Sequence, residues 1–210
     1  MNRGMNDQLT ISNTQKPNAR QRLLEAAFHE IHKHGFQGMR VDTILEKTSL
    51  TKGAFYHHFA SKQALGVAVV DESIHGKITE IWLDTLNNSH DPVNAIQDAL
   101  EKAAECYGME MLMLGCPLNN LAQEMSPINE EFRLHINKIF HLWQEALVGV
   151  LKRGIKAGNI IDEIDPLSVA TFILACVEGS IGLAKNERDL APIIHTSDEI
   201  ERYLLALQPK

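Results

Sequence analysis

Residues Val41 to Leu65 read VDTILEKTSLTKGAFYHHFASKQAL. This stretch predicts two short helices separated by a tight turn at Thr48-Ser49-Leu50. The second helix, predicted over Lys52–His58, begins with polar, small and basic side chains, and Thr51 is placed to cap its first turn. A helix that begins in this way suits the floor of a DNA major groove.

Apolar residues indicate that both short helices are buried on one side. We expect them to pack against a first helix that starts near Asn18 and is stopped by Gly35. The residues expected on the buried side are Val41, Ile44, Leu50, Phe55 and Phe59. The polar side of the pair then remains free to contact a partner.

The polar side of the helix pair carries the predicted DNA contacts. Lys52 can reach a phosphate or a guanine edge, close to the partial positive charge of the helix N-terminus. Gly53 and Ala54 let the helix approach the bases closely, and Tyr56 offers its hydroxyl to a phosphate. The full predicted set is Arg40, Thr51, Lys52, Gly53, Ala54, Tyr56, His57 and Lys62.

The charge distribution favours a polyanionic partner at one end of the chain. The protein as a whole has a net charge of −7. Residues 1–66 hold nine Lys and Arg against five Asp and Glu, whereas residues 67–210 hold eleven against twenty-two. The N-terminal segment is therefore +4 and the remainder −11, and a basic end on an acidic body is consistent with nucleic-acid binding.

The rest of the chain also predicts helices, about nine in total, and the fold class is all-α. A long fourth helix should run from Ser61 toward Leu86, and residues 1–17 should form a disordered arm. The later helices are predicted from Asp91-Pro92 to about Met111, over Leu118–Met125, from Ile128 to Ile155, from Pro166 to Lys185, and over Ser197–Leu207.

We expect no enzyme activity, no cofactor and no metal. The sequence offers no nucleophile elbow and no phosphate-binding glycine loop. His29-Glu30-Ile31-His32 is one residue short of the helical zinc pair, and three irregularly spaced cysteines give no zinc or disulfide pattern. A helical enzyme or small-molecule carrier would need a pocket in the C-terminal part to act alone.

Residues from about Asn18 to Ile74 resemble the DNA-binding domain of the TetR/AcrR family of bacterial transcriptional regulators. The residues that carry the resemblance are Gly35-Phe36, Ile44, Lys52-Gly53, Phe55-Tyr56, His58-Phe59, Ser61-Lys62 and Leu65. Two positions depart from the family pattern. Ser49 stands where glycine is usual, which implies strain if its φ is positive, and Leu45 stands where a small residue is usual.

The resemblance implies a DNA-binding domain over 18–78, with a helix-turn-helix at about 41–60, joined through helix 4 to an effector-binding and dimerisation domain over 79–210. It further implies a cytoplasmic, nucleoid-associated homodimer that pairs through the last two helices, about 166–207. Such a dimer would bind a palindromic operator and be released by a small apolar or electrophilic effector. We expect no membrane association.

Aromatic and sulfur-containing side chains are candidates for the effector pocket. The set is Trp82, Cys106, Met109, Met113, Cys116, Phe140, Trp143 and Phe172. Cys116 precedes Pro117 at the start of a short helix, whose dipole would favour a thiolate. Two alternatives therefore stay open: a redox or electrophile sensor that acts through Cys116, and a constitutive DNA-binding protein without a ligand switch.

Overall fold

The computed structural model describes residues 17–210, apart from the side chains of Tyr107, Glu110, Met111 and Leu112. It confirms the all-helical prediction, and residues 17–210 contain no strand. The helices are α1 (Ala19–Gly38), α2 (Val41–Thr48), α3 (Lys52–His58), α4 (62–87), α5 (Pro92–Leu114), α6 (Pro117–Met125), α7 (Glu130–Ala157), α8 (Pro166–Glu187) and α9 (Ala191–Ala206).

Side chains that precede the helices fix several of their starts. Asn18 caps α1 by accepting from the Gln21 N–H at 2.9 Å, and Thr51 caps α3 by accepting from the Ala54 N–H at 3.2 Å. Ser61 caps α4, and Asp165 caps α8 ahead of Pro166 at its first position. The predicted capping role of Thr51 is confirmed, and Ser61 and Asp165 act in the same way.

Helix α4 is one long rod with two irregular turns. Its α-helical segments Lys62–Ala68, His75–Ile78 and Asp84–Asn87 alternate with π-helical segments Val69–Ile74 and Thr79–Leu83. Widened turns of this kind shift side chains out of the regular helical register, and they are frequent at functional sites. The predicted long helix is therefore present, with irregularities that its apolar spacing did not reveal.

Two predicted helix boundaries need correction. Gly35 breaks the regularity of α1 with a φ of 73°, but helical structure resumes and reaches Gly38. The last helix begins at Ala191, six residues before the predicted Ser197. Asp189 accepts from the Ala191 N–H at 3.0 Å, and Pro192 lies in the first turn, so both ordinary start signals were present in the sequence.

The first three helices form a small bundle on the side of α4, and α5 to α9 form the body around the rest of α4. The expected core is present, since Ile44, Phe55 and Phe59 are buried against α1 and α4, and Val41 and Leu50 pack at its edge.

Most of the predicted arm, residues 1–16, lies outside the described residues. Helix α8 has the length and apolar composition of a membrane span, which is weak evidence because buried helices share these properties.

Ser49 closes α2 in the left-handed region, with φ 53° and ψ 34°. Ser49 therefore has the positive φ, and the backbone strain, that was expected if serine replaced the usual glycine. We expect Ser49→Gly to raise the free energy of unfolding by roughly 0.5–1 kcal/mol, because glycine adopts this conformation without a Cβ clash. Urea denaturation measures the change. Ser126→Gly is the control, since Ser126 has right-handed helical angles and gains nothing from glycine.

Candidate DNA-binding surface and effector cavity

The start of α3 presents an exposed polar surface on a buried scaffold. Thr51, Lys52, Gly53 and His57 are exposed, and Tyr56 is 62% exposed. Phe55 faces the other way and is fully buried, so the helix is fixed from behind. A Cβ added to Gly53 would meet only the Thr51 hydroxyl, at 3.7 Å. The fold of this chain therefore does not require glycine at that position.

The other predicted DNA-contacting residues differ in how exposed they are and in whether they form ion pairs. Lys52 Nζ lies 3.2 Å from Asp42 Oδ1, but both side chains are largely exposed, so the pair is weak and easily exchanged. Arg40 is exposed at the start of α2. Ala54 is half-buried in the first turn of α3. These residues lie close to the exposed surface of α3.

Lys62 belongs instead to the packing of the bundle. Its Nζ donates to the Gln37 carbonyl at 3.1 Å and lies 4.9 Å from the centre of the Phe36 ring. Burial lowers the pKa of its ammonium, and the Glu124 carboxylate opposes this shift. Lys62 lies at the start of α4, as predicted. Its side chain is already hydrogen-bonded within the protein, so it would have to break its hydrogen bond to the Gln37 carbonyl before it could contact a phosphate.

Helix α6 joins the bundle of α1 to α3 to the body at both of its ends. At its C-terminal end, Glu124 accepts from the N–H groups of Phe36 and Gln37 at 2.9 and 2.8 Å. Gly35 has a φ of 73°, which favours glycine, and an added Cβ would lie 2.8 Å from a Glu124 oxygen, so the carboxylate would have to shift. The role of Glu124 was not predictable from the sequence, because an acid in the last turn of a helix has no distinctive pattern.

At the other end of α6, His32 of α1 contacts the turn that leads into it. His32 Nε2 lies 2.6 Å from the Gly115 carbonyl oxygen. Burial lowers the pKa of His32, which favours the neutral ring, and its Nε2–H then donates to that oxygen. The sequence had singled out His32 only as part of a motif one residue short of a helical zinc pair. Its buried contact with residue 115 depends on the tertiary fold.

Next to this turn, the body contains a small apolar cavity of about 60 Å³. Its walls come from α4, α5, α7, α8 and α9 together with the turn at Gly115-Cys116-Pro117. The larger apolar side chains in the walls are Ile78, Trp82, Leu100, Trp143, Val177, Ile181, Ile193 and Ile200. The turn at residues 115–117 therefore contacts both the cavity and α1.

The structure brings three of the eight predicted pocket residues together in this cavity: Trp82, Cys116 and Trp143. The other five are absent from its described walls. Cys106 and Met109 are exposed on α5, and Phe172 is 48% exposed on α8, where its ring packs on Tyr203. Met113 and Phe140 are half-buried elsewhere. Residue type alone could not show which face of each helix the cavity occupies.

The structure does not favour a thiolate at Cys116. Burial raises the pKa of the Cys116 thiol well above its ordinary value, and the neighbouring Glu178 carboxylate raises it further. Hydrogen bonds from the N–H groups at the start of α6 lower the pKa of the thiol, but their effect is smaller than that of burial. A neutral buried thiol is a poor nucleophile, so the electrostatics do not favour the sensor alternative.

Comparisons with known proteins identify the family. Residues 23–69 match the family described as bacterial regulatory proteins, tetR family, and residues 92–199 match the C-terminal domain of LmrA/YxaF-like transcriptional regulators. The chain belongs to the TetR family. The two matched segments of this TetR-family protein correspond to the bundle that presents α3 and to the body that encloses the cavity.

Individual relatives cover most of this TetR-family chain. The transcriptional repressor DhaR of Mycobacterium sp. (strain GP1) is 28% identical over 174 residues, which are 83% of this chain and 86% of DhaR. An HTH-type transcriptional regulator in the lacX 3' region of Lactococcus lactis subsp. lactis is 29% identical over 82% of this chain and 86% of its own length. A crystal structure of a TetR regulator from Chloroflexus aurantiacus is similar with a TM-score of 0.79, at 28% identity over 90% of this chain and 94% of that one.

Proposed function

We propose that this TetR-family regulator is a repressor that binds a palindromic operator as a homodimer and is released when a small molecule occupies the cavity. The observation that carries the proposal is α3, whose polar first turn is exposed while Phe55 behind it is buried. The relative DhaR is itself a transcriptional repressor. In this role the protein would be located in the bacterial cytoplasm and would be associated with the nucleoid when it is bound to DNA.

Helix α6 offers a route between the cavity and the DNA-binding bundle. Residues 115–117 line the cavity, and Glu124 at the far end holds the backbone of Phe36 and Gln37. An effector that moved this turn would shift α6 and change how α1 to α3 are held. The effector must bind more tightly to the state that does not bind DNA, because only differential affinity shifts the equilibrium.

The function is tested by selecting genomic DNA fragments with the purified protein and footprinting those that bind. We expect a protected palindrome with half-sites separated by about one helical turn and an affinity that falls steeply with salt. Binding that does not discriminate between fragments would contradict the proposal. Compounds screened for release of the selected fragment then distinguish a switched regulator from a constitutive DNA-binding protein.

The dimer is proposed to form through the outer faces of α8 and α9. These faces expose Leu167, Phe172 and Leu183 of α8 and Ile194 and Leu205 of α9, each about half accessible. Small residues Ala175, Gly179 and Gly182 lie between them on α8 and would let a second copy approach closely. A second copy of this chain would cover an apolar surface that water otherwise contacts.

We expect Leu183→Glu to prevent dimerisation at micromolar concentration and to weaken operator binding severely, because two buried charges would face each other across the axis. Light scattering gives the mass and footprinting gives the operator affinity. Leu134→Glu is the matched control, since Leu134 is 53% exposed on α7 against 55% for Leu183. If Leu183→Glu stays dimeric, the proposed interface is wrong.

A further inference from the structure

Glu178 is a buried acid without an evident partner. It is the only Asp or Glu between Asp165 and Glu187, and it is 9% exposed. Neither carboxylate oxygen makes a well-formed hydrogen bond to another described residue. Burial raises the pKa of Glu178 to about 7, although the nearby Cys116 and Asn119 side chains partly oppose the shift. An unpaired buried carboxyl group is costly to folding, so this position calls for an explanation.

Glu178 lies beside the effector cavity. Its neighbour Cys116 is a wall residue, as are Val177 and Ile181 on the same helix. A modest displacement of the turn at residues 115–117 would therefore bring a ligand within reach of the carboxylate. Since α6 begins at this turn, contact with Glu178 and movement of α6 would occur together.

Two tryptophan rings form another wall of the cavity. The ring centroids of Trp82 and Trp143 are 4.6 Å apart, and both residues are almost fully buried. The faces of indole rings attract cations through the ring quadrupole, and the attraction is strongest where water is excluded. Paired aromatic rings in the wall of a cavity that has a carboxylate at its border are a suitable environment for an organic ammonium group.

The charges around the cavity favour the same ligand class. The described wall residues include no Lys, Arg or His, so an anionic ligand would lose its hydration without gaining a counter-ion. Residues 67–210 carry a net charge of −11, which raises the local concentration of cations around the body. A neutral apolar ligand would leave Glu178 as unpaired as it is now.

We propose that the cavity binds a lipophilic organic cation, with its ammonium group between Glu178 and the Trp82–Trp143 pair and its apolar part against the aliphatic walls. This inference rests on the proposed function in taking the cavity as the effector site. It adds the ligand class and makes Glu178 the residue that determines specificity.

The cavity must widen to admit such a ligand. Its volume of about 60 Å³ is smaller than the ~150 Å³ that an apolar cavity needs to hold benzene. The wall residues Ala103 and Ala104 precede Gly108, where α5 departs from helical geometry with a φ of 58°. The glycine offers a place where α5 can bend outward, so the cation would select the widened state.

The test uses three probes that share one apolar skeleton: phenylbutylamine, phenylbutanol and phenylbutanoate. Binding is measured without DNA, from tryptophan fluorescence and from the shift in melting temperature. We expect the amine to bind at least ~10-fold more tightly than the alcohol, and the carboxylate to bind most weakly. Glu178→Gln should abolish the preference for the amine and retain alcohol binding, which also shows that the variant folds.

Glu163→Gln is the control, because it removes one exposed carboxylate from the loop before α8 and should keep the preference for the amine. The proposal is overturned if the amine fails to bind at millimolar concentration, binds no better than the alcohol, or keeps its advantage in Glu178→Gln. Release of operator DNA is measured separately. Glu178-dependent amine binding without release would support the cation site and contradict its proposed role as the effector switch.

Discussion

Replacing Gly53 by glutamine should abolish operator binding and leave the protein at least as stable as the unmodified chain. Gly53 is exposed in the first turn of α3, and an added Cβ would contact only the Thr51 hydroxyl. Glutamine has the higher helix propensity, so the folded state loses nothing. At the DNA, the longer side chain would hold the helix away from the base edges, and we expect affinity to fall by at least ~100-fold.

The measurement is operator affinity by fluorescence anisotropy together with urea denaturation of the same preparation. Gly76→Gln is the matched control, because Gly76 is also exposed on a helix with no atom near an added Cβ, but lies on α4. It should retain operator binding. If Gly53→Gln binds the operator as tightly as the unmodified protein, the first turn of α3 does not approach the bases closely.

Glu178→Gln should stabilise the protein above neutral pH. The folded-state pKa of Glu178 is raised from 4.5 to about 7, so between these values the folded state holds a proton that the unfolded state releases. The free energy of unfolding of the unmodified protein therefore falls as pH rises through this interval. The difference in pKa corresponds to about 3 kcal/mol, which is lost in full above about pH 8.

The comparison is made as a difference between proteins, because other groups titrate alike in both. Near pH 4.5 the protonated acid and the amide are both neutral, so the two stabilities should be close. By pH 8 we expect Glu178→Gln to be more stable by about 3 kcal/mol, measured by urea denaturation across the range. If the difference in free energy of unfolding between Glu178→Gln and the unmodified protein does not change with pH, Glu178 does not have a raised pKa. Glu163→Gln is the control, and its stability should match that of the unmodified protein across the whole pH range.

The caps and the apolar spacing were sufficient to predict most of the fold. Thr51, Ser61 and Asp165 each act on N–H groups within three residues, so their roles are local and legible in the sequence. The start of α9 was mistaken although Asp189 and Pro192 mark it. The two π-helical segments of α4 were not predictable, because they depend on the elements that pack around that helix.

The candidate sites divide in the same way. The exposed surface of α3 could be predicted because a short helix with a buried Phe55 has only one other side to present. The engagement of Lys62 by Gln37 could not, because the two residues are separated by 25 positions in sequence. For the cavity, the sequence supplied the tryptophans and Cys116 but also named residues that lie on outer faces of their helices, such as Phe172.

The sequence by itself determined the DNA-binding bundle, since its turn, caps and core residues all lie within about fifty positions and act through short-range rules. Only the tertiary structure decided how that bundle is linked to the body. Glu124 reaches Phe36 across 88 positions, His32 reaches Gly115 across 83, and Glu178 comes to lie beside Cys116. Contacts between distant segments depend on how whole helices pack, so the sequence around each residue does not indicate which distant residue it will contact.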